Sequence, residues 1–382
     1  MSKVKLDREI IISKLQKAVK YVPSKTMIPA FDNFRLSVQG NVMNIIASDG
    51  NIQVTLNCPV SSKDAFTVCL PAKLLLKTLM LFRENDVTIT MKSDTKVEVK
   101  SGKSKYNISV ECQPNDFPIM RNEAIDNEMA IGQFFLQKAL KMTEKFVDDK
   151  NTVSNLIGIK IEQIKDRMVF TGADGAIMCR YAAKPLSINK WAQIVIPTET
   201  ASKVASLLSD KGEIGISSSS EKITFFTDSA DEDAFQVCSV LAKVKFPNTE
   251  GLFDKCPTNS IVLNTLEVKD AIKRLSLYSS GDSPSFIIQN TNDKMSINLS
   301  SNDNLQNRDG EEVITLMDEL VHPIVKSFGS DYFIQILNNV DTNEFEFFFN
   351  ENEKQPCFII PCVNSEEEKL ASFLIVGRMI NV

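Results

Sequence analysis

Two Asp-Gly pairs supply the carboxylates that stand out most clearly as candidates for chemistry. Asp49-Gly50 lies between the apolar runs of "IIASDGNIQVTL", and Asp174-Gly175 has the same setting in "VFTGADGAIMCRY". Neither carboxylate has a partner acid, His or Lys in a recognisable motif, which general acid or base chemistry would need. Glycine adopts positive φ without steric strain, so Asp-Gly between two strands is typical of a hairpin turn. We interpret both pairs first as turns and assign no catalytic residue.

Few other groups could bind a metal ion or attack a substrate. The chain has one histidine, His322, and eight cysteines, none of them in a C-x-x-C pair. Zinc sites are built from clustered Cys, His and carboxylate ligands, so we predict no metal and no cofactor. A Ser-His-Asp or Cys-His arrangement would depend on His322 alone, beside Pro323 in a charged segment. The pattern does not favour an enzyme, and scattered cysteines in a chain without a secretion signal favour free thiols.

The composition is that of a globular protein with room for two or three domains. Its 382 residues are 43 % apolar and 24 % charged, and no apolar run approaches the ~20 residues of a membrane span. The first residues, "MSKVKLDREIIISKL", are charged and amphipathic rather than signal-like, which predicts a cytoplasmic protein. The net charge of −6 argues only weakly against a nucleic-acid partner, because only the surface that meets the partner matters.

The two Asp-Gly phrases belong to a longer repeat that covers about a third of the chain. "CLPAKLLLKTLMLF" and "VIPTETASKVASLL" follow them at matching distances, and each predicts a helix that begins after a proline. Paired strand-like runs come next, "DVTITM" with "KVEVKSG" in one copy and "EIGIS" with "KITFFTD" in the other. Each copy ends at Phe-Pro, first at Phe117-Pro118 and then at Phe246-Pro247. A repeat that spans about a third of the chain is too long for a solenoid and predicts similar domains in tandem.

The rest of the chain resembles a third, more divergent copy. It has a helix in "LEVKDAIKRLSLY" and strands in "SFIIQN" and "KMSINLS", while "SSNDNL" stands where the Asp-Gly landmark is expected. We further predict a sixth helix in "LMDELVHPIVKSF", although Pro323 would remove one of its hydrogen bonds, and strands in "YFIQILN" and "EFEFFFN". The predicted boundaries give domains at 1–125, 126–257 and 258–382.

Within each copy the order is helix, strands, helix, strands. Ile11, Leu15 and Ala18 share one face of the first helix, and Val97 and Val99 alternate with charged residues in a strand. We therefore predict an α+β fold of three tandem similar domains, each a duplicated helix-plus-antiparallel-sheet unit.

Lysines recur on the faces of these helices that lie opposite the apolar stripes. Their three- and four-residue spacing places them on one side of each helix. The positions are Lys14 and Lys17; Lys73 and Lys77; Lys138, Lys141 and Lys145; Lys203; Lys269 and Lys273; and His322 with Lys326.

A charged helix face is usually only a solvated face, and that alternative stays open for each helix. Recurrence over five or six helices of an acidic chain, with the acids concentrated in loops such as "DSADEDA", favours a sequence-independent contact with phosphates. No zinc-finger, helix-turn-helix or RNA-recognition signature indicates that bases are read.

The order and spacing of several phrases resemble the beta subunit of DNA polymerase III, the bacterial sliding clamps, over essentially the whole chain. The matching phrases are "SKTMIPAFDNFRL", "ASDGNIQVTL", "LPAKLLLKTL", "VKSGKSKYNISVECQPNDFP", "LIGIKIE", "TGADGAIM", "VIPTETASKV" and "KFPNTE".

The resemblance implies the DNA clamp fold and a head-to-tail homodimer that closes into a ring around double-stranded DNA. It implies a non-enzymatic processivity factor that tethers the replicative polymerase and also binds the clamp loader and other replication and repair proteins. A tether needs no nucleophile, metal or cofactor, and no membrane partner is expected. Lysines that face DNA without gripping it would let the ring slide as contacts exchange among equivalent phosphates.

Three sets of site residues follow from the resemblance, position by position. To the helix lysines above it adds two DNA contacts in loops, Lys25 and Lys150. It implies a pocket for short peptides built from Leu156, Ala173, Gly175, Met178, Pro247, Leu252, Leu374, Val376, Arg378 and Met379. It implies a dimer interface in which Leu74, Thr78, Tyr106 and Ile108 of one subunit meet Leu277 and Tyr278 of the other.

The sequence departs from the family pattern at two places in this pocket. Ala173 stands where the family often has Thr, and Gly377-Arg378 stands where it has Pro and an apolar residue. These differences leave the location of the pocket in place and bear on its depth and peptide preference. The alternative hypothesis is a repeat-built protein–protein scaffold that uses the apolar groove without enclosing DNA.

Overall fold

A computed structural model of the protein describes residues 2–121, 125–148, 155–229, 231, 233–253, 256–279, 285–291, 293–303, 308–350, 355–363 and 370–377. These residues form seven α-helices. They are α1 (Arg8–Ala18), α2 (Ala72–Leu81), α3 (Gln133–Thr143), α4 (Thr198–Ala205), α5 (Glu250–Phe253), α6 (Thr265–Ser276) and α7 (Ser330–Leu337). Short 3-10 turns are at Val19–Tyr21, Pro29–Asp32 and Glu144–Phe146.

The strands are short and pair in antiparallel fashion. Those of the first half are β1 (Lys3–Asp7), β2 (Asn33–Gln39), β3 (Val42–Ser48), β4 (Ile52–Pro59), β5 (Ser61–Ser62), β6 (Phe66–Pro71), β7 (Asp86–Ser93), β8 (Lys96–Ser101), β9 (Ser104–Ser109), β10 (Asn127–Gly132), β11 (Ile159–Ile164), β12 (Arg167–Ala173), β13 (Ile177–Ala183) and β14 (Ser187–Lys190). Those of the second half are β15 (Ile194–Ile196), β16 (Glu213–Ser218), β17 (Lys222–Phe226), β18 (Phe235–Val240), β19 (Asn259–Asn264), β20 (Ser285–Asn290), β21 (Ser296–Asp303), β22 (Arg308–Thr315), β23 (Val325–Gly329), β24 (Glu344–Phe349), β25 (Cys357–Pro361) and β26 (Ala371–Ile375).

Local sequence explains where the helices begin. The Asp7 carboxylate accepts hydrogen bonds from the backbone N–H groups of Glu9 and Ile10 at 2.9 and 3.1 Å, which caps α1. Asn264 caps α6 in the same way. Pro71 and Pro197 stand immediately before α2 and α4, as the sequence predicts.

By packing, the chain divides into two compact units, residues 1–138 with 185–242 and residues 139–184 with 243–382. The first unit contains a five-stranded sheet in the order β5-β1-β7-β8-β9 and a nine-stranded sheet in the order β14-β10-β16-β17-β18-β4-β3-β2-β6. Its nine-stranded sheet is continuous because β18 pairs with β4. This division into two units does not test the predicted boundaries of three domains, which remain predictions.

The second unit holds a four-stranded sheet, β22-β21-β20-β23, and the sheet order β11-β12-β13-β26-β25-β24-β19. Its core is rich in phenylalanine, with Phe286, Phe328, Phe333 and Phe347 in mutual ring contact at 5.3–6.0 Å between centroids. Such aromatic contacts stabilise a core beyond the area that they bury.

The predicted sixth helix is wrong. Residues 316–324 form turns and irregular chain, and Val325–Gly329 is strand β23, in which Lys326 is buried opposite Ile288. The helix is α7, in the stretch "YFIQILN" that was predicted as a strand. Proline lacks an N–H and disfavours helical geometry in the residue before it, so Pro323 ends any helix that could start upstream. Pro323 and His322 are therefore exposed loop residues rather than members of a basic helix face.

Candidate functional site

The two Asp-Gly pairs form nearly identical turns, as the sequence predicts. The Asp49 carboxylate accepts hydrogen bonds from the N–H groups of Asn51 and Ile52 at 2.8 and 2.9 Å. Asp174 accepts from Ala176 and Ile177, both at 2.8 Å. These are Asx turns, in which the carboxylate replaces a backbone acceptor.

The Asp174 turn borders a group of apolar side chains on one face of the second unit's larger sheet. Ala173 and Met178 are opposite each other on β12 and β13, and Met178 is opposite Leu374 on β26. All three are buried, while Val376 is 40 % exposed, and its N–H donates to the Ala176 carbonyl at 2.9 Å. A shallow binding site for an apolar ligand needs this arrangement, with buried apolar side chains at its base and partly exposed ones at its border.

Two further segments border the same face. A Cβ at Gly175 would be 3.9 Å from Leu156, which places the half-buried Leu156 beside the turn. Leu252, 40 % exposed, follows Pro247 in residues 246–253, which we call the linker segment. We use the name apolar pocket for the described residues that the resemblance assigns to the peptide site: Leu156, Ala173, Gly175, Met178, Pro247, Leu252, Leu374 and Val376. Arg378 and Met379, which the resemblance also placed there, are outside the described residues.

Four contacts that the sequence did not predict hold the linker segment to the sheet. The Arg180 guanidinium is 4.9 Å from the centroid of the Phe253 ring, and that ring meets Phe358 edge-on at 5.6 Å. Lys160 contacts Phe246 and Thr249 at the other end. The sequence signal for the role of Lys160 is a single basic residue between apolar residues of the strand-like run "GIKIE".

The lysines of the helices differ in how exposed they are. Lys25, Lys73, Lys77 and Lys141 are exposed, and Lys17, Lys138 and Lys269 are half-buried. Lys273 is exposed and 3.3 Å from the Asp270 carboxylate on its own helix. Lys145, also exposed, donates to the Asn339 side chain at 2.9 Å. Lys150 is outside the described residues.

Two lysines are engaged by carboxylates of the same unit. Lys14 is buried, and its ammonium is 2.7 Å from the exposed Asp233 carboxylate. This ion pair holds the pKa of Asp233 below its usual value. Lys203 lies 3.4 Å from Asp49 and 2.8 Å from Glu199, with the Tyr21 ring 5.1 Å from its ammonium. Neither cation is displayed as openly as the sequence suggests.

The residues assigned to the dimer interface are near open edges of sheets. Strand β9, with Tyr106, is the last strand of the five-stranded sheet, and β22 is the last strand of the four-stranded sheet. Leu74, Tyr106, Leu277 and Tyr278 are 45–72 % exposed. Thr78 is half-buried, and Ile108 is buried inside its own unit opposite Val97.

The thiols have the environment of core residues. Burial raises the pKa of Cys58 to about 11 and those of Cys69 and Cys357 to about 12. These cysteines are therefore protonated and poor nucleophiles near neutral pH. Within the described ranges, no three His, Cys, Asp or Glu side chains converge as metal ligands would. No helix among the described residues is long and apolar enough to span a membrane.

Helices alternate with antiparallel strands along the described chain, as the predicted DNA clamp fold requires. The family model described as the DNA polymerase III beta subunit, N-terminal domain, matches residues 2–121, and the model of the C-terminal domain matches residues 251–372. The chain belongs to the DNA polymerase III beta subunit family, the sliding clamps. This family is non-catalytic, in agreement with the sequence prediction.

Individual relatives are distant in sequence and close in fold. The beta sliding clamp of Staphylococcus aureus is 20 % identical over 364 residues, which cover 91 % of this chain and 93 % of the relative. The crystal structure of the DNA polymerase sliding clamp from Bacillus subtilis superposes with a TM-score of 0.87 at 19 % identity, covering 99 % of both chains. A Pseudomonas aeruginosa sliding clamp bound to griselimycin also gives 0.87, at 18 % identity, covering 99 % of this chain and all of the other. The predicted α+β clamp fold is confirmed.

Proposed function

We propose that this protein is a processivity factor that closes as a head-to-tail homodimer around duplex DNA and tethers the replicative polymerase to it. The observation that carries the proposal is the match of residues 2–121 and 251–372 to the models of the clamp family, together with a beta sliding clamp that aligns with 91 % of the chain. The clamp loader and other replication and repair proteins would bind at the same apolar pocket. The place of action would be the cytoplasm, where the chromosome is replicated.

The proposed DNA contacts are the exposed and half-exposed helix lysines. Lys73 and Lys77 on α2, Lys138 and Lys141 on α3, and Lys269 and Lys273 on α6 present ammonium groups without any element that could read bases. Such groups bind phosphates regardless of sequence, and each contact is lost and regained as the duplex moves. Lys17, Lys25 and Lys150 complete the proposed set.

Lys14 and Lys203 would contribute less than the others. Their ammonium groups face carboxylates at 2.7–3.4 Å, so a phosphate would have to displace Asp233, Asp49 or Glu199 before it could bind. A ring that slides benefits from weak contacts, because strong ones would slow its movement along DNA. We infer that these internal acids moderate the grip on the duplex.

The proposed ring closes through the two open sheet edges. An unpaired edge strand exposes backbone N–H and C=O groups that another strand can pair with. Strand β9 carries Lys105 and β22 carries Arg308, Asp309, Glu311 and Glu312, so their formal charges are opposite. Lys105 and Glu312 are each already paired within their own unit, with Glu98 and Arg274, so backbone pairing would carry most of the contact. A head-to-tail dimer would use each edge once per interface, and two such interfaces close the ring.

One charge pair joins β22 to α6, the helix that comes directly before two of the proposed contact residues. Arg274 donates to both Glu312 carboxylate oxygens, at 2.7 and 3.0 Å, and so joins α6 to β22. Leu277 and Tyr278 follow α6 directly, and Leu74 and Tyr106 are their proposed partners in the other subunit. Ile108 would support β9 from inside its own subunit rather than touch the partner.

The proposed tether is the apolar pocket. A short peptide with apolar side chains would cover Leu252 and Val376 and rest on Met178 and Leu374. Ala173 and Gly175 leave space above the Asp174 turn, because neither carries a large side chain. Arg378 and Met379 would extend this site at the C-terminal end.

The test of the proposed function is retention on closed DNA. The protein is loaded with its clamp loader and ATP onto a nicked circular plasmid, and bound protein is measured before and after a restriction enzyme linearises the circle. We expect long-lived binding to the circle and rapid release from the linear form. Equal release from both would reject topological binding.

A charge-reversal pair separates DNA contact from general interaction. Lys138→Glu with Lys141→Glu should reduce loading and polymerase stimulation, whereas Lys63→Glu with Lys96→Glu, at exposed sites outside the helices, should leave both unchanged. Undiminished stimulation by the helix variant would favour a scaffold that does not enclose DNA.

A further inference from the structure

Lys160 on β11 is a cation in a place where cations are rarely found. Its side chain has no solvent exposure, and it lies between the sheet and the linker segment that borders the apolar pocket. An ammonium group that is removed from water destabilises the fold unless other groups replace its hydration. The identity of those groups indicates what the lysine does.

Three groups surround the Lys160 ammonium. It donates to the Thr249 hydroxyl at 2.8 Å, forms an ion pair with the Glu162 carboxylate, and is 5.6 Å from the centroid of the Phe246 ring. Glu162 is on the same strand, but Phe246 and Thr249 both belong to the linker segment. Two of the three groups that stabilise the buried charge are therefore supplied by the linker.

The same two residues fix the course of the linker past the pocket. Pro247 lies between them, and the Thr249 carbonyl accepts a hydrogen bond from the Leu252 N–H at 3.2 Å. Thr249 is itself buried, so it cannot be a surface contact for a ligand. A shift of Thr249 would move both Pro247 and Leu252, the two linker residues that border the apolar pocket.

We infer that Lys160 is a positioning residue of the apolar pocket: its buried ammonium fastens the linker segment to β11 and so sets where Pro247 and Leu252 meet a bound peptide. This role rests on the proposed function of the pocket. The Lys160 side chain has no exposed surface with which to touch a peptide, and an apolar side chain of similar length could fill its space. The charge therefore positions the linker segment, and the sheet does not need it in order to fold.

The first test replaces the charge and keeps the volume. Lys160→Met should keep the fold, as judged by an unchanged circular-dichroism spectrum, but should lower the melting temperature because Glu162 loses its cation. We expect it to raise backbone hydrogen exchange in residues 246–252 and to weaken binding of a fluorescent peptide from the polymerase's clamp-binding segment about three- to tenfold. Lys245→Met, an exposed lysine of the same stretch, is the matched control and should change neither quantity.

The second test isolates the hydroxyl that receives the hydrogen bond. Thr249→Val should reproduce the effect of Lys160→Met on both readouts, Thr249→Ser should retain wild-type behaviour, and the double variant Lys160→Met with Thr249→Val should bind no more weakly than Lys160→Met alone. A residue that merely stabilised the fold would lower the melting temperature without a local change in exchange.

Unchanged exchange of residues 246–252 in Lys160→Met would overturn the positioning role, whatever the peptide does. Altered exchange with wild-type peptide affinity would overturn its link to the pocket. Wild-type protein that failed to bind the peptide would instead count against the proposed function, and the exchange data would still decide whether Lys160 fastens the linker.

Discussion

The two Asp-Gly turns have nearly the same backbone and quite different surroundings. Gly50 and Gly175 have φ values of +95° and +100°, and the N–H groups of Asp49 and Asp174 each donate to the residue three positions on at 3.2 Å. Around the first turn, the ring of Phe31 packs on Gly50, and the Asp49 carboxylate is 3.4 Å from Lys203. Around the second turn, the neighbours are Leu156 and the apolar pocket.

This difference separates the structural part of the repeated phrase from the part that the proposed peptide site uses. The carboxylate and the glycine are needed in both copies to reverse the chain. Neighbouring elements then use the turn for a charge pair in one copy and for the proposed peptide site in the other. Changes in the apolar surroundings, in the glycine and in the charge should therefore have separable effects.

The largest expected effect comes from a charge in the apolar surroundings of the second turn. Leu252→Asp, at a 40 % exposed position, and Met178→Asp, at a buried one, should each weaken peptide binding by about 100-fold or more, because a bound peptide would bury an unpaired carboxylate. Fluorescence anisotropy with a labelled polymerase peptide measures the loss, and light scattering should show an unchanged dimer mass.

Met178 is buried in the sheet, so Met178→Asp also destabilises the fold. Leu252 is partly exposed, so Leu252→Asp tests the pocket without unfolding the protein. Val42→Asp, at an exposed apolar position of the first unit, is the matched control and should bind the peptide normally. Normal binding by Leu252→Asp would mean that the pocket is misplaced.

Replacing the glycines should have the next largest effect, and it should be unequal. Gly50→Ala and Gly175→Ala both force a Cβ into positive φ, which costs about 1–2 kcal/mol of unfolding free energy. A Cβ at Gly50 would also be 3.2 Å from the Phe31 ring, whereas the nearest atom at Gly175 is 3.9 Å away. Urea denaturation should therefore show the greater loss for Gly50→Ala, and equal losses would mean that Phe31 moves aside without strain.

The turns, helices α1 to α4 and α6, and most strands were predictable because their signals are local, whereas the short helix α5 was not predicted. Asp-Gly pairs, prolines before helices and alternation along strands depend on neighbours in sequence, and each predicted strand in "DVTITM", "KVEVKSG", "EIGIS" and "KITFFTD" is present. The error at the sixth helix has a physical cause. "LMDELVHPIVKSF" has apolar residues at helical spacing, but Pro323 and the pairing of Lys326 with Ile288 in the sheet decide its conformation.

The candidate site was less predictable because it depends on contacts between distant residues. Helical spacing placed Lys14 on a charged face, yet Asp233, over 200 positions later, engages it at 2.7 Å. The contacts of Lys160 with Thr249 and of Arg180 with Phe253 also join separate segments. Periodicity reports which face a residue occupies and cannot report what that face meets.

Neutralising the turn carboxylates should have a smaller effect that differs in kind between the two copies. Asn preserves an Asx turn, so Asp49→Asn should keep the backbone and release Lys203 from one of its two carboxylates. We expect about a twofold increase in affinity for duplex DNA at low salt, with a steeper dependence on salt concentration. Asp174→Asn should leave DNA binding unchanged, and a filter-binding salt series on the two variants distinguishes them. An equal change in both would show only the effect of net charge.

The smallest expected effect concerns the ion pair of Lys14 with Asp233. Asp233 offsets the positive charge of Lys14, as Asp49 offsets that of Lys203. Because the folded state lowers the pKa of Asp233, the pair stabilises the fold above the unfolded carboxyl's pKa near 4, and this contribution is lost as pH falls through the lower folded value. The Asp233 side chain is exposed, so solvent screening keeps the contribution to a few tenths of a kcal/mol. Asp233→Asn should be slightly less stable than wild type at pH 6, and the two should become equally stable once the pH is below the lowered folded-state pKa of Asp233. Thermal unfolding across this range measures the difference, with Asp231→Asn on the same loop as the control, and a gap that stayed constant with pH would assign the effect to something other than the ion pair.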